Sequence, residues 1–404
     1  MSYFPDLVTR RQISSDDENF SVRAVPPAPG LSAFGTLVAA PETAVVQLQF
    51  PYGLLSEQLN VSSSNGGYVS SGGGMAIVNA GAVSNGYSSI ESKAANRYIA
   101  GMGGRLKFAG FFASGGLAES TQEVGVGDSQ DGFFFGYSGS NFGVLRRAAG
   151  VESWTSSVSW SLDRMDGRGP SGQVLDPTLG NVYQISYQWL GFGAITFLIE
   201  DGPTGMIFPV HRIGYANVNH STSVRDPNLP VRMAVRQWGA TGSIAINVSS
   251  ICAMVEGVPP VHGIRRADQD VASAVSAEVP LITVMNSGSF NGRSNRIRIK
   301  VDSVSIASRD GTGLTQYRLV VGATLTGSSF VAVSASNSPV VVDKTASALN
   351  GGREILFAGL GPNGAQVIDL STYDIKLSPG ETITLTCSGS NSTCLGGLSW
   401  QEEL

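Results

Sequence analysis

Residues 183–217 read Y-Q-I-S-Y-Q-W-L-G-F-G-A-I-T-F-L-I-E-D-G-P-T-G-M-I-F-P-V-H-R-I-G-Y-A-N, three consecutive strands by their pattern. Tyr183, Ile185, Tyr187 and Trp189 fall on one face, and Gln184, Ser186 and Gln188 on the other. Period-two alternation of this kind marks a half-buried strand. Gly191 and Gly193 bracket a reversal at Phe192, after which Ile195, Phe197 and Ile199 repeat the alternation. Asp201-Gly202-Pro203 turns the chain again, and the segment from Met206 to Tyr215 returns. Pro209 has no N–H for a ladder, so the third strand is expected at an edge or at a bulge.

The same signature extends outward. Gly accounts for 51 of 404 residues, charged residues for only 14% and hydrophobic residues for 42%. Short apolar runs separated by Gly, Ser and Asn clusters belong to an all-β chain with enough apolar surface for a core. Upstream, strands are expected at 45–50, 75–78, 105–112, 123–127, 132–137 and 142–147, and downstream at 231–238 and 243–255. Phe133-Phe134-Phe135 puts rings on both faces, so that strand is expected to be covered on both sides. The fold class that follows is all-β: two β-sandwich domains of jelly-roll or lectin-like type, preceded by an extended N-terminal arm.

The expected organisation is an arm over 1–40, a large sandwich over 41–256, a linker over 257–280 and a C-terminal sandwich over 281–404. The arm carries Pro26-Pro27-Ala28-Pro29-Gly30 and scattered large apolar residues, as in a segment that orders by docking. Within the linker, Val271, Ala274, Val275 and Glu278 sit at three-and-four spacing and predict a short helix over 267–278. Pro280 closes it.

Charge and composition exclude several function classes. A net charge of −5 disfavours nucleic acid as the main partner. No apolar run approaches the roughly 18 residues of a membrane-spanning helix. M-S-Y-F-P-D-L-V-T-R-R lacks the basic-then-apolar order of a signal peptide, so synthesis in a cytoplasm is expected. Cys252, Cys387 and Cys394 are too few for a disulfide framework; Cys387 and Cys394 flank S-G-S-N-S-T and could meet, with reduced thiols the default.

Motifs with chemical meaning are weak. Residues 359–364, G-L-G-P-N-G, match the dinucleotide-binding spacing, but Pro362 and a following strand remove the helix N-terminus that holds a pyrophosphate. D-x-x-D-G occurs at Asp128–Gly132 and Asp163–Gly167; its oxygens could hold Ca²⁺, and Asp-Gly is equally plain turn chemistry. His211, His220 and His262 form no zinc pattern, and no G-x-S-x-G elbow is present. No catalytic, cofactor-binding or metal residue is assigned, and the chain is read as non-enzymatic; the surviving enzyme alternative is a glycan-cleaving carboxylate pair. Arg293, Arg296, Arg298 and Lys300 form a basic stripe, read as a solvated strand face or a charged edge, or as a contact for an acidic neighbour.

D-G-F-F-F-G-Y-S-G-S-N-F-G-V (131–144), G-N-V-Y-Q-I-S-Y-Q-W-L-G-F-G-A-I-T-F-L-I-E (180–200), H-R-I-G-Y-A-N (211–217) and D-P-N-L-P (226–230) resemble a block in virion structural proteins of tailed bacteriophages and some large DNA viruses. L-S-P-G-E-T-I-T-L-T (377–386) and L-S-W-Q-E-E (398–403) are similar to the last strands of phage structural proteins. The resemblance implies a particle component assembled in a host cytoplasm, without implying catalytic residues. Three expectations follow: a peripheral tail or baseplate fibre-like protein attached through its arm to other virion proteins, a capsid decoration or head-fibre protein, or a glycan-binding adhesin. A homotrimer suits the first, since closed cyclic symmetry buries apolar faces. For the third, Tyr68, Tyr87 and Trp238 are the aromatics singled out as sugar-stacking platforms, against ordinary packing.

Overall fold

The computed structural model describes residues 40–403 apart from 189, 240–241, 260–262 and 310–311. The arm expected over 1–40, Trp189 and His262 thus fall almost wholly outside the described residues. The chain divides into two compact units, 1–259 and 260–404. Among the described residues there is no α-helix, only strands and one 3₁₀ turn at Ser157–Ser159.

The first unit runs β1 (Glu42–Gln49), β2 (Leu59–Ser64), β3 (Tyr68–Gly72), β4 (Met75–Asn79), β5 (Tyr87–Asn96), β6 (Gly103–Phe112), β7 (Ser120–Gly127) and β8 (Gly132–Ser138). It continues with β9 (Asn141–Ala148), β10 (Val151–Ser156), β11 (Asn181–Tyr187), β12 (Ile195–Asp201), β13 (Met206–Ile213), β14 (Leu229–Gln237) and β15 (Ala245–Glu256). One sheet has the order β13-β12-β11-β6-β15-β4-β3, with β1 also on β15; the other has the order β10-β9-β8-β7-β14-β5-β2. Every pairing is antiparallel.

The alternation read in residues 183–199 lands where it should. Tyr183, Ile185, Phe197 and Ile199 are fully buried. They join Val124, Val126, Phe133, Phe135, Val231 and Met233 of the opposite sheet in one core. That shared core makes the unit a sandwich. At its centre, Phe135 has five aromatic neighbours: Tyr183 at 5.0 Å, Phe197 at 5.2 Å, Phe108 at 6.2 Å, Trp160 at 6.3 Å and Phe142 at 6.4 Å between centroids. Strand β13 is an edge strand, and its pairing slips next to Pro209, where Phe197↔His211 is followed by Leu198↔Pro209. The reversal between β11 and β12 depends on Gly193, whose Cβ would stand 1.4 Å from the Gln188 carbonyl oxygen.

The second unit runs β16 (Ile264–Val275), β17 (Val279–Asn286), β18 (Ser289–Phe290), β19 (Arg293–Ser294), β20 (Arg298–Arg309), β21 (Thr315–Val321), β22 (Thr324–Thr326) and β23 (Val331–Ala332). It ends with β24 (Val340–Asp343), β25 (Ala348–Asn350), β26 (Arg353–Leu360), β27 (Ala365–Asp369), β28 (Lys376–Leu377), β29 (Thr382–Ser388) and β30 (Ser392–Glu403). A sheet ordered β16-β30-β20-β27, with β28 on β20, faces one ordered β23-β24-β17-β29-β21-β26. Leu281, Val301, Val304, Tyr317, Leu319, Ile383, Leu385, Leu398 and Trp400 fill the space between them.

Two sequence expectations are corrected here. The linker with a helix over 267–278 is instead mostly strand β16, paired with β30 from Ile264↔Glu402 to Val275↔Ser392. A single 12-residue helix is marginal on its own, even with four Ala among its residues. The long strand β30 offers a full ladder, and ion pairs Arg266–Glu402 at 2.9 Å and Asp268–Lys344 at 2.7 Å tie the segment down. The apolar spacing misled because Val271 is exposed on the strand rather than part of a buried stripe. The basic stripe does not lie on an edge either. β20 is interior, with β30 on one side and β27 and β28 on the other. Arg298 and Lys300 sit 3.7 Å from Glu403 and 4.0 Å from Asp374.

Candidate functional site

The outward face of the β10-β9-β8-β7-β14-β5-β2 sheet carries the chemistry of this molecule. Register sets its rows. Arg236 on β14 lies opposite Tyr87 on β5 and Thr121 on β7. One row further along, Ala234 lies opposite Ser89 and Glu123, and in the next Arg232 lies opposite Glu91 and Gly125. Arg147 on β9 pairs with Gly132 of β8 and Glu152 of β10. Alternation then points Glu123, Arg147, Arg232, Glu91 and Glu152 to the same side of the sheet.

These groups form one ion-pair network. The Glu123 carboxylate accepts from Arg147 Nη2 at 2.5 Å and Nη1 at 3.2 Å, and from Arg232 Nε at 2.7 Å. Arg147 Nη2 also donates to Glu152 at 2.7 Å, and Nη1 to the Asp128 carbonyl at 2.8 Å. Arg232 reaches Glu91 at 3.3 Å and the Tyr87 hydroxyl at 3.2 Å. The outward positions of β8 are Gly132, Phe134, Gly136 and Ser138, so one ring alone stands between β9 and β7. The Arg147 guanidinium crosses above it, 5.1 Å from the Phe134 centroid. This cover explains why Phe134, on the outer face, is as buried as Phe133 and Phe135.

Side-chain exposure is 6% for Glu123, 7% for Arg147 and 9% for Arg232. Burial by itself pushes the Glu123 carboxyl up. Attraction from Arg232 and Arg147 outweighs it and holds the group below the usual carboxylate range. Burial likewise works against the charge on both arginines, and Glu123 more than reverses that.

Beside this network opens a groove of about 590 Å³. Tyr87, Thr121, Arg236 and Trp238 line one end, and Glu152 and Ser129 the other. Trp238 is 44% exposed, and the Arg236 guanidinium lies 5.8 Å from its ring centroid. The Trp238 backbone is anchored on both sides, its N–H to the Glu119 carbonyl at 2.9 Å and its carbonyl to the Ser84 hydroxyl at 2.7 Å.

Of the three aromatics singled out in sequence, the fold brings Tyr87 and Trp238 to this groove. Tyr68 stands half-exposed on β3, in the other sheet, and does not line it. The D-x-x-D-G loops are stapled by their own carboxylates. Asp128 accepts from the Gln130 and Asp131 amides, and Asp131 from those of Ala149 and Arg225. Asp163 accepts from Met165 and Ser171, and Asp166 from Arg168. Among the described residues no three His, Cys, Asp or Glu side chains gather as a metal site. The 359–364 motif is the end of β26 and the turn into β27, closed by Gly364 N–H to the Gly361 carbonyl. His211 accepts from the Ser161 amide at 3.1 Å, and burial holds it below its ordinary value. Cys387 and Cys394 are free and buried in the second core.

Reading the sequence residue by residue misses Glu123, Arg147 and Arg232. The available signal was a charge inside an otherwise apolar strand, as in Q-E-V-G-V and V-R-M-A-V-R. Such a charge is buried only when paired.

No family model and no curated protein matches the chain. Solved structures similar to it include the cellulose-induced protein Cip1, with 16% identity and TM-score 0.32 over 52% of this chain and 96% of that one. Another is the lectin UEA-II complexed with galactose, with 9% identity and TM-score 0.35 over 53% and 100%. A third is a carbohydrate esterase of the Shiga toxin-encoding bacteriophage phi24B, with 12% identity and TM-score 0.31 over 54% and 100%. Likeness at this level assigns neither a reaction nor a ligand to this chain.

Proposed function

We propose that this chain is a carbohydrate-binding β-sandwich protein that works at the surface of a phage particle, with the groove beside Trp238 as its glycan site. The observation that carries the glycan reading is the groove itself. Two aromatic side chains and a row of hydroxyl and guanidinium groups converge there on a rigid sheet. Sugars present apolar ring faces edged by hydroxyls, and an exposed indole with adjacent polar donors matches both features. The particle setting rests on the sequence blocks at 131–144, 180–200, 211–217 and 226–230.

Binding suits the site better than cleavage. A glycan-cleaving pair needs one carboxylic acid that keeps its proton near working pH. Glu123 is held ionised by two guanidiniums. Glu91 and Glu152 are each paired with an arginine as well.

Trp238→Ala is expected to weaken binding to a retained glycan by about tenfold or more, because a stacked ring contributes its buried area and a specific π contact. Tyr68→Ala is expected to bind as the parent does. A glycan array followed by calorimetric titration checks both. An array without hits, or a Trp238→Ala protein that binds unchanged, refutes the reading. Release of reducing ends from a bound polysaccharide would overturn the choice of binding over cleavage.

A further inference from the structure

We infer that the groove selects acidic sugars, with Arg236 as the residue that reads the anionic group; this rests on the glycan reading above. Three arginines line the groove, and they are not equivalent. Arg147 and Arg232 are committed to Glu123 at 2.5 and 2.7 Å and are largely buried. Arg236 is exposed and, among the described residues, pairs with no carboxylate; its guanidinium meets only the Trp238 ring.

The placement of Arg236 is specific. It projects from β14 in the same row as Tyr87 and Thr121, two residues before Trp238. Strand alternation therefore sets Arg236 and Trp238 on one face, with the guanidinium over the ring at 5.8 Å from its centroid. A sugar packed against the part of the Trp238 ring that Arg236 leaves open lies beside that guanidinium. A guanidinium is geometrically matched to a bidentate oxyanion, a uronate carboxylate or a sulfate ester alike. Thr121 and Ser64 lie within the same groove wall and can donate to the remaining oxygens. The locked Glu123 network supplies no competing cation, so discrimination between acidic and neutral sugars falls to Arg236.

The test uses the full chain and calorimetric titration with three oligosaccharide sets of similar length: oligogalacturonate, a sulfated galactan and a neutral galactan. The expected result is that one acidic set binds about tenfold or more tighter than the neutral set, as for a charge-assisted hydrogen bond. Which acidic set wins identifies carboxylate or sulfate as the recognised group. Arg236→Gln is expected to remove that preference, and Arg236→Lys to restore part of it. Raising salt from about 50 to about 500 mM is expected to weaken acidic binding selectively, since the contact is exposed and screened. Arg236 is at the surface, so an unchanged melting profile separates lost recognition from lost fold. Equal or tighter binding of the neutral set, or an acidic preference that survives Arg236→Gln, overturns the inference and leaves the glycan reading standing. Failure of all three sets to bind overturns the inference, and the glycan array decides the glycan reading separately.

Discussion

Replacing Glu123 by Ala is expected to cost the first unit about 3–5 kcal/mol, the cost of leaving buried charges without their partner. The carboxylate is the hub of two guanidiniums from strands on either side of β7, each less than a tenth exposed. Removing it leaves Arg147 with Glu152, which is 41% exposed, and Arg232 with Glu91 at 3.3 Å. For a unit of this size the melting temperature should fall by roughly 10 °C, at about 2–4 °C per kcal/mol. Differential scanning calorimetry reads this directly; a loss under about 1 kcal/mol would mean that water, rather than Glu123, compensates the arginines. Replacing Glu123, Arg147 and Arg232 together by apolar residues should recover much of the loss, because the desolvation cost disappears with the charges.

The same network sets an acid limb. The folded carboxyl lies below its ordinary value of 4.5, so the unfolded chain binds the proton more readily. The stabilisation is therefore fully present above the unfolded value and is lost as pH falls through the lower folded one. Between neutral pH and that window the parent protein should hold its stability with respect to Glu123. The Glu123→Ala protein should show a shallower decline below about pH 4.5. Parallel melts across pH that fall with identical slope would contradict this.

Phe135→Ala should be comparably severe, about 3–5 kcal/mol, through loss of buried area and a residual cavity. Phe135 is fully buried, and five aromatic rings lie within 6.4 Å of its own. Those rings come from β6, β9, β11, β12 and the segment after the 3₁₀ turn, so none can collapse into the gap without moving its own strand. Phe135→Leu should cost less, since much of the volume is kept. Chemical denaturation with an unchanged m-value measures both. A Phe135→Ala loss below about 1.5 kcal/mol would show that the sheets close over the void.

Both changes bear on function through the same sheet. The inner face of β7 and β8 carries Val124, Phe133 and Phe135, and the outer face carries Glu123 and Phe134. The network stiffens the platform on which Trp238 and Arg236 are displayed. A sugar site on paired strands loses less entropy on binding than one on a mobile loop.

What the sequence alone determined is local and periodic. Alternation at Tyr183, Ile185, Phe197 and Ile199 specifies strands with one buried face, because successive side chains must point to opposite sides. Phe133-Phe134-Phe135 announces cover on both faces. Pro209 announces an irregular edge, since it lacks the donor a ladder needs. Tertiary structure decided the rest. Residues 267–278 carry spacing compatible with a helix and became strand β16 because β30 offered a longer ladder than a 12-residue helix could make for itself. Arg232 meets Glu123 across 109 residues, and Tyr87 meets Arg236 through the β5–β14 register. A slip of one residue would turn each of these side chains to the opposite face. Local pattern sets which residues alternate; only the pairing of distant strands decides which alternating residues meet, and the groove exists at that level alone.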